Sequence, residues 1–347
     1  MSLNHTRSLQ TLQELPYHGV SDLISCHGQF NNTLSYDLPT KKYLEKLSSL
    51  YDLDLFTLNV RENINPDLNL INQHIQSNYY SPHSFNVLRN RLSSSDDDFK
   101  FSLLHNNVRS LRRNLEDLQV HLLDELGHCF SIIGVSETKI TKTSLLDFNP
   151  SIAGYEFEYV PTPLAAGGVG MYIKSDLNYT VIEKSSEDAF QALWIEIHLS
   201  KRPNIICGIM YRQHNTPERF QEYFDETLEK FSTSTKSIFV MGDFNINLLG
   251  VETCNYAHNF LLSLQSFSLI PTIDKPTRVY KNTATLSDNI LVNKLDAEIY
   301  SGNIVSDVSD HYSQFCIFQK TKVIRKKVIY LLFFMPRTLM LKHQHSS

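Results

Sequence analysis

Between residues 99 and 320, short apolar runs rich in β-branched and aromatic residues alternate with longer segments. Such runs predict strands covered on both faces, and segments with apolar residues at spacings of three and four predict helices. The predicted strands are 99–104, 129–135, 168–173, 192–198, 204–211, 237–241, 285–292 and 314–318, and the predicted helices are 114–126, 216–231 and 256–264. This alternation predicts a layered α/β domain, in which loops at one edge of the sheets converge on a single site.

One predicted strand ends in a polar cluster. Residues 237–241 read Ser-Ile-Phe-Val-Met, and Gly242, Asp243, Phe244 and Asn245 follow directly. The twofold period of a strand sends Asp243 and Asn245 to the same side just beyond it. A carboxylate and an amide in this position fit a catalytic site, but Gly, Asp and Asn are also the usual residues of a polar turn. This stretch alone leaves both interpretations open.

Other predicted strands also have polar residues at or near their ends. These candidates are Asn107, Glu137, Tyr211, Asp243, Asn245, Asp288, Asp310 and His311. Carboxylates predominate among them, with amides and a single histidine. That donor set suits Mg²⁺ or Mn²⁺, which prefer oxygen ligands, whereas zinc more often recruits several histidines or thiolates.

The composition narrows the class of protein. The five cysteines are widely spaced and form no C-x-x-C pair, which fits a reducing compartment better than a disulfide framework or a zinc site. No stretch approaches the roughly 20 apolar residues of a membrane helix, and the polar start is no signal peptide. We therefore predict a soluble intracellular protein, nuclear or cytoplasmic. The net charge of −5 gives no global attraction to nucleic acid, although binding responds to the local potential.

The two ends of the chain differ from its centre. Residues 1–98 are predicted to form an N-terminal extension, partly helical or disordered, with helical spacing at 41–58 and 68–75 and a turn at 78–83. The Ser- and Asp-rich cluster at 93–98 is a natural boundary because it lacks apolar residues and repels itself. The predicted organisation is therefore an extension at 1–98, one domain at 99–320 and a C-terminal tail at 321–347.

The order of the motifs resembles a known family. The motifs are Asn107-Val-Arg-Ser-Leu, Gly134-Val-Ser-Glu137-Thr-Lys, Gly167-Gly-Val-Gly-Met-Tyr172, Met210-Tyr211-Arg, Met241-Gly-Asp243-Phe-Asn245, Thr285-Leu-Ser-Asp288-Asn-Ile-Leu and Val308-Ser-Asp310-His311. Together they look like the endonuclease/exonuclease/phosphatase superfamily. Within it, the chain is similar to the apurinic-like endonuclease domain of non-LTR retrotransposons of the jockey and chicken-repeat type.

The resemblance implies a four-layered α/β sandwich of two mixed β-sheets flanked by helices. It also implies one role for each matching residue. Glu137 would be the principal ligand of Mg²⁺ or Mn²⁺, assisted by Asn107 and Asp310. Asp243 would accept a proton from the attacking water, which Asn245 would align. His311, oriented by Asp288, and the hydroxyl of Tyr211 would donate to the scissile phosphate.

Two features of the loops bear on the substrate. The segment after Tyr211 lacks the proline common in relatives, and Arg109 stands where apurinic repair enzymes carry an aspartate. Basic residues gather in the same loops and predict a positive rim suited to a DNA backbone. These residues are Arg109, Arg112, Arg113, Lys139, Lys142, Arg212, Arg278 and Lys281. Scattered solvated charge is the alternative interpretation.

The leading functional hypothesis is a Mg²⁺-dependent DNA endonuclease that nicks one strand and leaves a 3′ hydroxyl. One alternative is a phosphatase of the same fold acting on a small phosphorylated substrate, and another is a catalytically silent remnant that binds nucleic acid. An intact element would carry a reverse transcriptase domain, and no motif of that enzyme is present in this sequence. The tail from residue 321 is interpreted as sequence outside the domain.

Overall fold

The computed structural model describes residues 77–93, 99–144, 147–200, 202–214, 217–232, 236–280, 283–293 and 298–320. The helices predicted at 41–58 and 68–75 and the C-terminal tail lie outside these residues. No helix in the described part of the chain is long and apolar enough to cross a membrane.

The described part contains strands and helices in the following order. The strands are β1 (Ser77–Tyr80), β2 (Phe99–Asn107), β3 (Ile132–Ser136), β4 (Tyr155–Val160), β5 (Val169–Lys174), β6 (Tyr179–Ser186), β7 (Phe190–Ile197), β8 (Ile205–Arg212), β9 (Ser237–Asp243), β10 (Ile270–Pro271), β11 (Arg278–Tyr280), β12 (Thr283–Thr285), β13 (Asp288–Val292), β14 (Glu298–Ile304) and β15 (Ser313–Lys320). The helices are α1 (Pro82–Ser93), α2 (Leu111–Leu118), α3 (Pro217–Ser232) and α4 (Asn255–Ser266). Helix α2 continues as a π-helical turn over Gln119–Asp124, and a 3₁₀ turn covers Leu248–Gly250.

Two large mixed sheets form the centre of the molecule. The seven-stranded sheet has the order β1-β14-β15-β2-β3-β5-β4, and the six-stranded sheet has the order β10-β13-β9-β8-β7-β6. Strands β2 and β3 are parallel, as are β8 and β9, while β13 runs antiparallel to β9 and β15 antiparallel to β2. The two large sheets with their flanking helices confirm the predicted α/β sandwich.

The main core lies between the two sheets. Leu103, Ile209 and Met241 are fully buried in it and belong to one apolar cluster contributed by both sheets. The approach is so close at Gly134 that a Cβ atom there would lie 2.5 Å from the sulfur of Met241. The glycine in β3 therefore leaves room for the Met241 side chain of the other sheet at this point.

The helices cover the outer faces through two further clusters. Helices α3 and α4 pack on the six-stranded sheet with aromatic rings, among which those of Phe224 and Phe260 lie 5.4 Å apart. Helices α1 and α2 cover the seven-stranded sheet through residues such as Phe85, Leu111 and Leu118. Burial of apolar surface in these layers supplies most of the stabilisation, at roughly 25 cal/mol per Å².

Some elements differ from the predictions. The turn predicted at 78–83 is wrong, because β1 pairs with β14 there and α1 begins at Pro82. Residues 77–93 thus join the sandwich, although they precede the predicted domain start at residue 99. Strands β4, β6 and β14 were not predicted, since β4 and β6 are edge strands and all three carry polar, partly exposed residues without a continuous apolar run.

Candidate active site

The polar residues predicted at strand ends meet at one edge of the two sheets. Asn107 ends β2, and Glu137 follows β3 directly. Because β2 and β3 are parallel, these two ends lie side by side. In the other sheet, the register places Tyr211 of β8 beside Asp243 of β9, and Asp243 opposite Asp288 of β13.

Hydrogen bonds join the two sheets across this edge. The amide of Asn107 donates to Asp243 Oδ2 at 2.8 Å and to Glu137 Oε1 at 3.4 Å. The hydroxyl of Tyr211 donates to the same Glu137 oxygen at 3.1 Å. Burial and the charge of Glu137 raise the pKa of Tyr211 far above its ordinary value, so its phenol stays protonated and acts as a donor.

The backbone of the site loops is strained. Positive φ angles occur at Arg109 (53°), Glu137 (50°), Lys139 (55°) and Asn245 (49°), and the fifth such non-glycine residue in the described part of the chain is Ser268. Each conformation of this kind costs roughly 1–3 kcal/mol and persists only where the surroundings enforce it. The clustering of these strained residues around Glu137 and Asn245 fits a site whose geometry is imposed by the fold.

Gly167 and Gly168 enforce the turn that carries Glu137. Their carbonyls accept from the backbone N–H groups of Lys139 (2.9 Å) and Thr138 (3.1 Å). Their φ angles are 105° and 85°, and a Cβ atom on Gly168 would lie 2.5 Å from Thr138 Oγ1. These glycines therefore serve a tight turn.

Asp243 is buried at the centre of the site. Its Oδ1 accepts the backbone N–H of Asn245 at 2.9 Å, and its Oδ2 accepts the amide of Asn107. Burial first, and then the charge of Asp288, raise the pKa of Asp243 to about 7. A carboxylate with such a pKa can accept a proton near neutral pH.

Asp288 and His311 form a buried pair. His311 Nδ1 lies 2.8 Å from Asp288 Oδ2, which also accepts the hydroxyls of Thr277 at 2.7 Å and Ser287 at 3.2 Å. Burial lowers the pKa of His311, but Asp288, together with Asp243 and Asp310, raises it to about 9. The imidazole is therefore protonated at neutral pH. In turn, His311, together with His105 and Thr277, lowers the pKa of Asp288 against the burial of the carboxyl.

Arg212 does not belong to the positive rim in which it was predicted. Its side chain is buried, where its Nε donates to the carbonyl of Phe244 at 2.6 Å and its guanidinium stacks 5.3 Å from the ring centroid of Tyr256. Asn245 in turn donates to the carbonyl of Arg212. Arg212 thus braces the Asn245 loop, and Arg113, Lys139 and Lys142 remain exposed.

Asp310 faces arginines. Its Oδ2 accepts from Arg109 Nη1 at 3.0 Å and from Arg278 Nε at 2.8 Å, and its Oδ1 is buried without a hydrogen-bond partner. The metal role predicted for Asp310 stays a prediction.

Two places in the site offer ligands for a cation. Both hydrogen bonds to Glu137 fall on Oε1, which leaves Oε2 for a cation beside the amide of Asn107. One ligand atom each from Asp243, Asp288 and His311 also lies within 4.8 Å of the others, and Asp288 Oδ1 is buried there without a hydrogen-bond partner. The first place offers a carboxylate and an amide oxygen, and the second offers two carboxylates beside a histidine that must lose its proton before it can bind a cation. Oxygen donors of this kind suit a divalent cation.

Supporting residues were missed by the sequence analysis. Thr277 holds Asp288 by its hydroxyl, and Ser309 Oγ donates to the backbone carbonyl of Asn107. A signal existed for both, because Thr277 lies in a Pro-Thr-Arg segment and Ser309 directly precedes Asp310-His311. Their role depends on contacts between distant segments, which the sequence does not reveal.

Comparison with known proteins decides the family. The family model described as "Endonuclease/Exonuclease/phosphatase family" matches residues 83–311. The chain belongs to this family. The match spans the site residues from Asn107 to His311 and confirms the resemblance inferred from the motifs. No curated protein sequence matches the chain.

Solved structures show the same fold. The catalytic domain of APE2 from Xenopus laevis superimposes with a TM-score of 0.50 at 17% identity, covering 69% of this chain and 100% of that domain. The endonuclease domain of TRAS1, a telomere-specific non-LTR retrotransposon, gives a TM-score of 0.49 at 14% identity, covering 65% of this chain and 100% of that one. At 17% identity, the likeness to the APE2 domain concerns the fold alone.

Proposed function

We propose that this protein is a Mg²⁺-dependent DNA endonuclease that nicks one strand and leaves a 3′ hydroxyl. The observation that carries the proposal is the hydrogen-bonded series Tyr211, Glu137, Asn107 and Asp243, which joins a cation-ready carboxylate to a buried carboxylate of raised pKa. Membership of a family of nucleases and phosphatases supports hydrolysis of a phosphate ester. In a retrotransposon, the 3′ hydroxyl would prime reverse transcription.

Glu137 would hold the cation through Oε2, and Asn107 would assist through the second lone pair of Oδ1, which also accepts the backbone N–H of Arg109. Asp310, the third predicted ligand, has its Oδ2 occupied by two arginines, and Asp288 Oδ2 already accepts three hydrogen bonds. When bound, a divalent cation supplies charge stabilisation to the non-bridging and leaving oxygens of the phosphate. Glu137 is only partly buried, whereas Asp243 and Asp288 are fully buried, so Glu137 is the more accessible ligand for a cation.

The remaining steps follow from the side chains. Asp243 accepts a proton from the attacking water, whose oxygen forms a bond to phosphorus while the bond from phosphorus to O3′ breaks. The departing O3′ keeps the electron pair of that bond and takes a proton from solvent water to become the 3′ hydroxyl. Protonated His311 donates to a non-bridging oxygen and opposes the charge that develops there. Asn245 aligns the water, and Tyr211 stays protonated as a second donor.

A plasmid assay tests this proposal. Supercoiled plasmid is incubated with the full chain in Mg²⁺ and in EDTA, and the nicked product is extended by a DNA polymerase without prior phosphatase treatment. We expect nicking in Mg²⁺ alone, with ends that are extended directly. The Glu137→Gln variant should lose at least 100-fold in rate, since ligand and charge are removed together.

Glu196→Gln is a matched control for the plasmid assay. Glu196 is also half-buried and also accepts from an asparagine amide, that of Asn204 at 2.7 Å. It lies next to Ile197 at the end of β7, at the opposite edge of the sheet from the site. We expect wild-type nicking from this variant. If the folded protein leaves plasmid supercoiled in Mg²⁺ but releases phosphate from an inositol phosphate, it is a phosphatase and not an endonuclease. If it does neither, the enzymatic proposal is overturned.

A further inference from the structure

Two arginines converge on one carboxylate oxygen beside the histidine of the site. Arg109 donates to Asp310 Oδ2 from Nη1 at 3.0 Å, and Arg278 donates to the same atom from Nε at 2.8 Å and lies 2.7 Å away at Nη2. Asp310 directly precedes His311, and Arg278 forms an isolated antiparallel bridge with His311. The three side chains therefore lie at the wall of the site that His311 occupies.

The group carries an excess of positive charge. Two guanidinium groups face one carboxylate. Burial raises the pKa of Asp310, but the charge of His311, and then those of Arg278 and Arg109, lower it. Each guanidinium has five N–H donors, of which only a minority reach Asp310. The side chains of Arg109 and Arg278 are 50% and 38% exposed, so the other donors are open to an incoming anion.

The fold fixes both arginines. Arg109 adopts a φ of 53°, and its backbone N–H donates to Asn107 Oδ1 at 3.0 Å, which ties it to the residue that contacts Asp243. Arg278 is anchored in β11 and by the bridge to His311. An arginine that is held in place before binding loses less side-chain entropy when it meets a phosphate.

We propose that Asp310 is a positioning residue that holds Arg109 and Arg278 as a clamp for a backbone phosphate of DNA next to the scissile bond. The planar guanidinium forks match the oxygens of a phosphate. Asp310 then serves the substrate and not the cation, which revises its predicted role as a metal ligand. The inference rests on the proposed function, because it names the group that the same site would bind.

Binding without cleavage tests the clamp. A fluorescein-labelled DNA duplex is titrated with the full chain in EDTA, and anisotropy is followed at several salt concentrations. Arg109→Gln and Arg278→Gln should each weaken binding by roughly fivefold to tenfold at low salt, and each should reduce the salt slope by about 1. Thermal melting of each variant verifies that these half-exposed substitutions leave the protein folded.

Lys174→Gln is the control for binding. Lys174 is paired with Asp176 at 2.7 Å and is 39% exposed, close to the values for Arg278. It lies at the end of β5 away from the site, since Val169 at the other end pairs with Ser136 beside Glu137. We expect this variant to bind as the wild type does. Arginine variants that bind like Lys174→Gln, or a wild-type protein that does not bind the duplex, would overturn the clamp.

Metal binding tests the role of Asp310. Calorimetric titration with Mn²⁺ alone should give the same affinity for Asp310→Asn as for the wild type within about twofold, while Glu137→Gln should lose at least tenfold. An equal loss in both variants would assign Asp310 to the cation and contradict the proposal. If DNA binding depends on the two arginines but the protein does not nick plasmid, the clamp stands and the endonuclease is rejected. If the protein nicks plasmid but binding does not depend on the arginines, the endonuclease stands and the clamp is rejected.

Discussion

At the scale of single residues, Thr277 is the support on which the Asp288–His311 pair depends. Its hydroxyl donates to Asp288 Oδ2 at 2.7 Å and accepts the backbone N–H of Asp288 at 3.2 Å, and its side chain is fully buried. We expect Thr277→Val to lower the free energy of unfolding by about 1–3 kcal/mol, since both partners lose a buried hydrogen bond. Denaturant titration measures this change.

The same substitution should lower the nicking rate, because Asp288 loses one of the groups that orient it toward His311. Thr283→Val is the control, since Thr283 is exposed and donates to the carbonyl of Tyr280 at 2.8 Å, away from Asp288 and His311. A Thr277→Val protein with wild-type stability and rate would show that the hydroxyl does not position the pair.

The position of a polar residue could be predicted from the sequence where a strand end delivers it, while its chemical role stays a prediction. Asn107, Glu137, Tyr211, Asp243 and Asp288 lie together because strands β2, β3, β8, β9 and β13 end or begin at one edge. Arg212 was misplaced because its burial is decided by the Phe244 carbonyl and the Tyr256 ring, which lie far from it in sequence. The pairing of Asp310 with arginine could not be predicted for the same reason, since it depends on the position of β11.

At the scale of elements, the turn after β3 determines where Glu137 lies. Gly168→Ala would bring a Cβ atom to 2.5 Å from Thr138 Oγ1 at a φ of 85°. We expect this variant to weaken Mn²⁺ binding and plasmid nicking by at least tenfold, because the turn must move. Calorimetry with Mn²⁺ and the plasmid assay give the two readouts.

Gly154→Ala separates backbone strain from the clash in that experiment. Gly154 has a similar φ of 82°, but a Cβ atom there would meet nothing within 4 Å. This variant should lose roughly 1–2 kcal/mol of stability through the left-handed backbone while it binds Mn²⁺ normally. Equal effects of the two substitutions on metal binding would contradict the role assigned to the turn.

Strands with continuous apolar runs were predicted and edge strands were not. Strand β8 is buried along its whole length, whereas β6 alternates half-buried and exposed residues at the edge of its sheet. The pattern of apolar residues reflects which positions are buried. A strand with polar residues and one solvent-exposed face therefore shows only a weak pattern in the sequence. The π-helical turn at Gln119–Asp124 was likewise predicted only as ordinary helix.

At the scale of the whole molecule, a half-buried histidine links stability to pH. His128 packs edge-on against Phe130, with ring centroids 4.6 Å apart, and its Nε2 lies 3.3 Å from Ser102 Oγ. Burial first, and then the charges of Arg89 and Lys100, lower the pKa of His128 to about 4. Between pH 6.5 and 4 the unfolded chain therefore binds more protons at this residue, so stability falls as the pH falls through that window.

Replacement of His128 by phenylalanine should remove this part of the pH dependence. We expect the free energy of unfolding of His128→Phe to rise relative to the wild type by roughly 1–3 kcal/mol as the pH falls from 6.5 to 4.5, with a constant difference above pH 7. Denaturant titrations across this range measure it. A difference that is the same at every pH would show that His128 titrates alike in both states.

The architecture of the whole molecule was predictable because motif order and strand alternation agree. The family match over residues 83–311 and the two mixed sheets confirm it. The start of the sandwich was harder to predict, since β1 is only four residues long and acquires its place by pairing with β14 more than two hundred residues later.

The central claim is that Asp243 accepts the proton of the attacking water, and single-turnover cleavage of an end-labelled DNA duplex in Mg²⁺ tests it most directly. Asp243→Asn keeps the shape of the side chain but cannot take the proton. We predict a loss of at least 1,000-fold in the cleavage rate with duplex binding preserved, whereas Asp225→Asn, a half-buried carboxylate on α3 that accepts from Gln221 at 2.9 Å, should cleave as the wild type does. A folded Asp243→Asn protein that cleaves within tenfold of the wild-type rate would contradict the account.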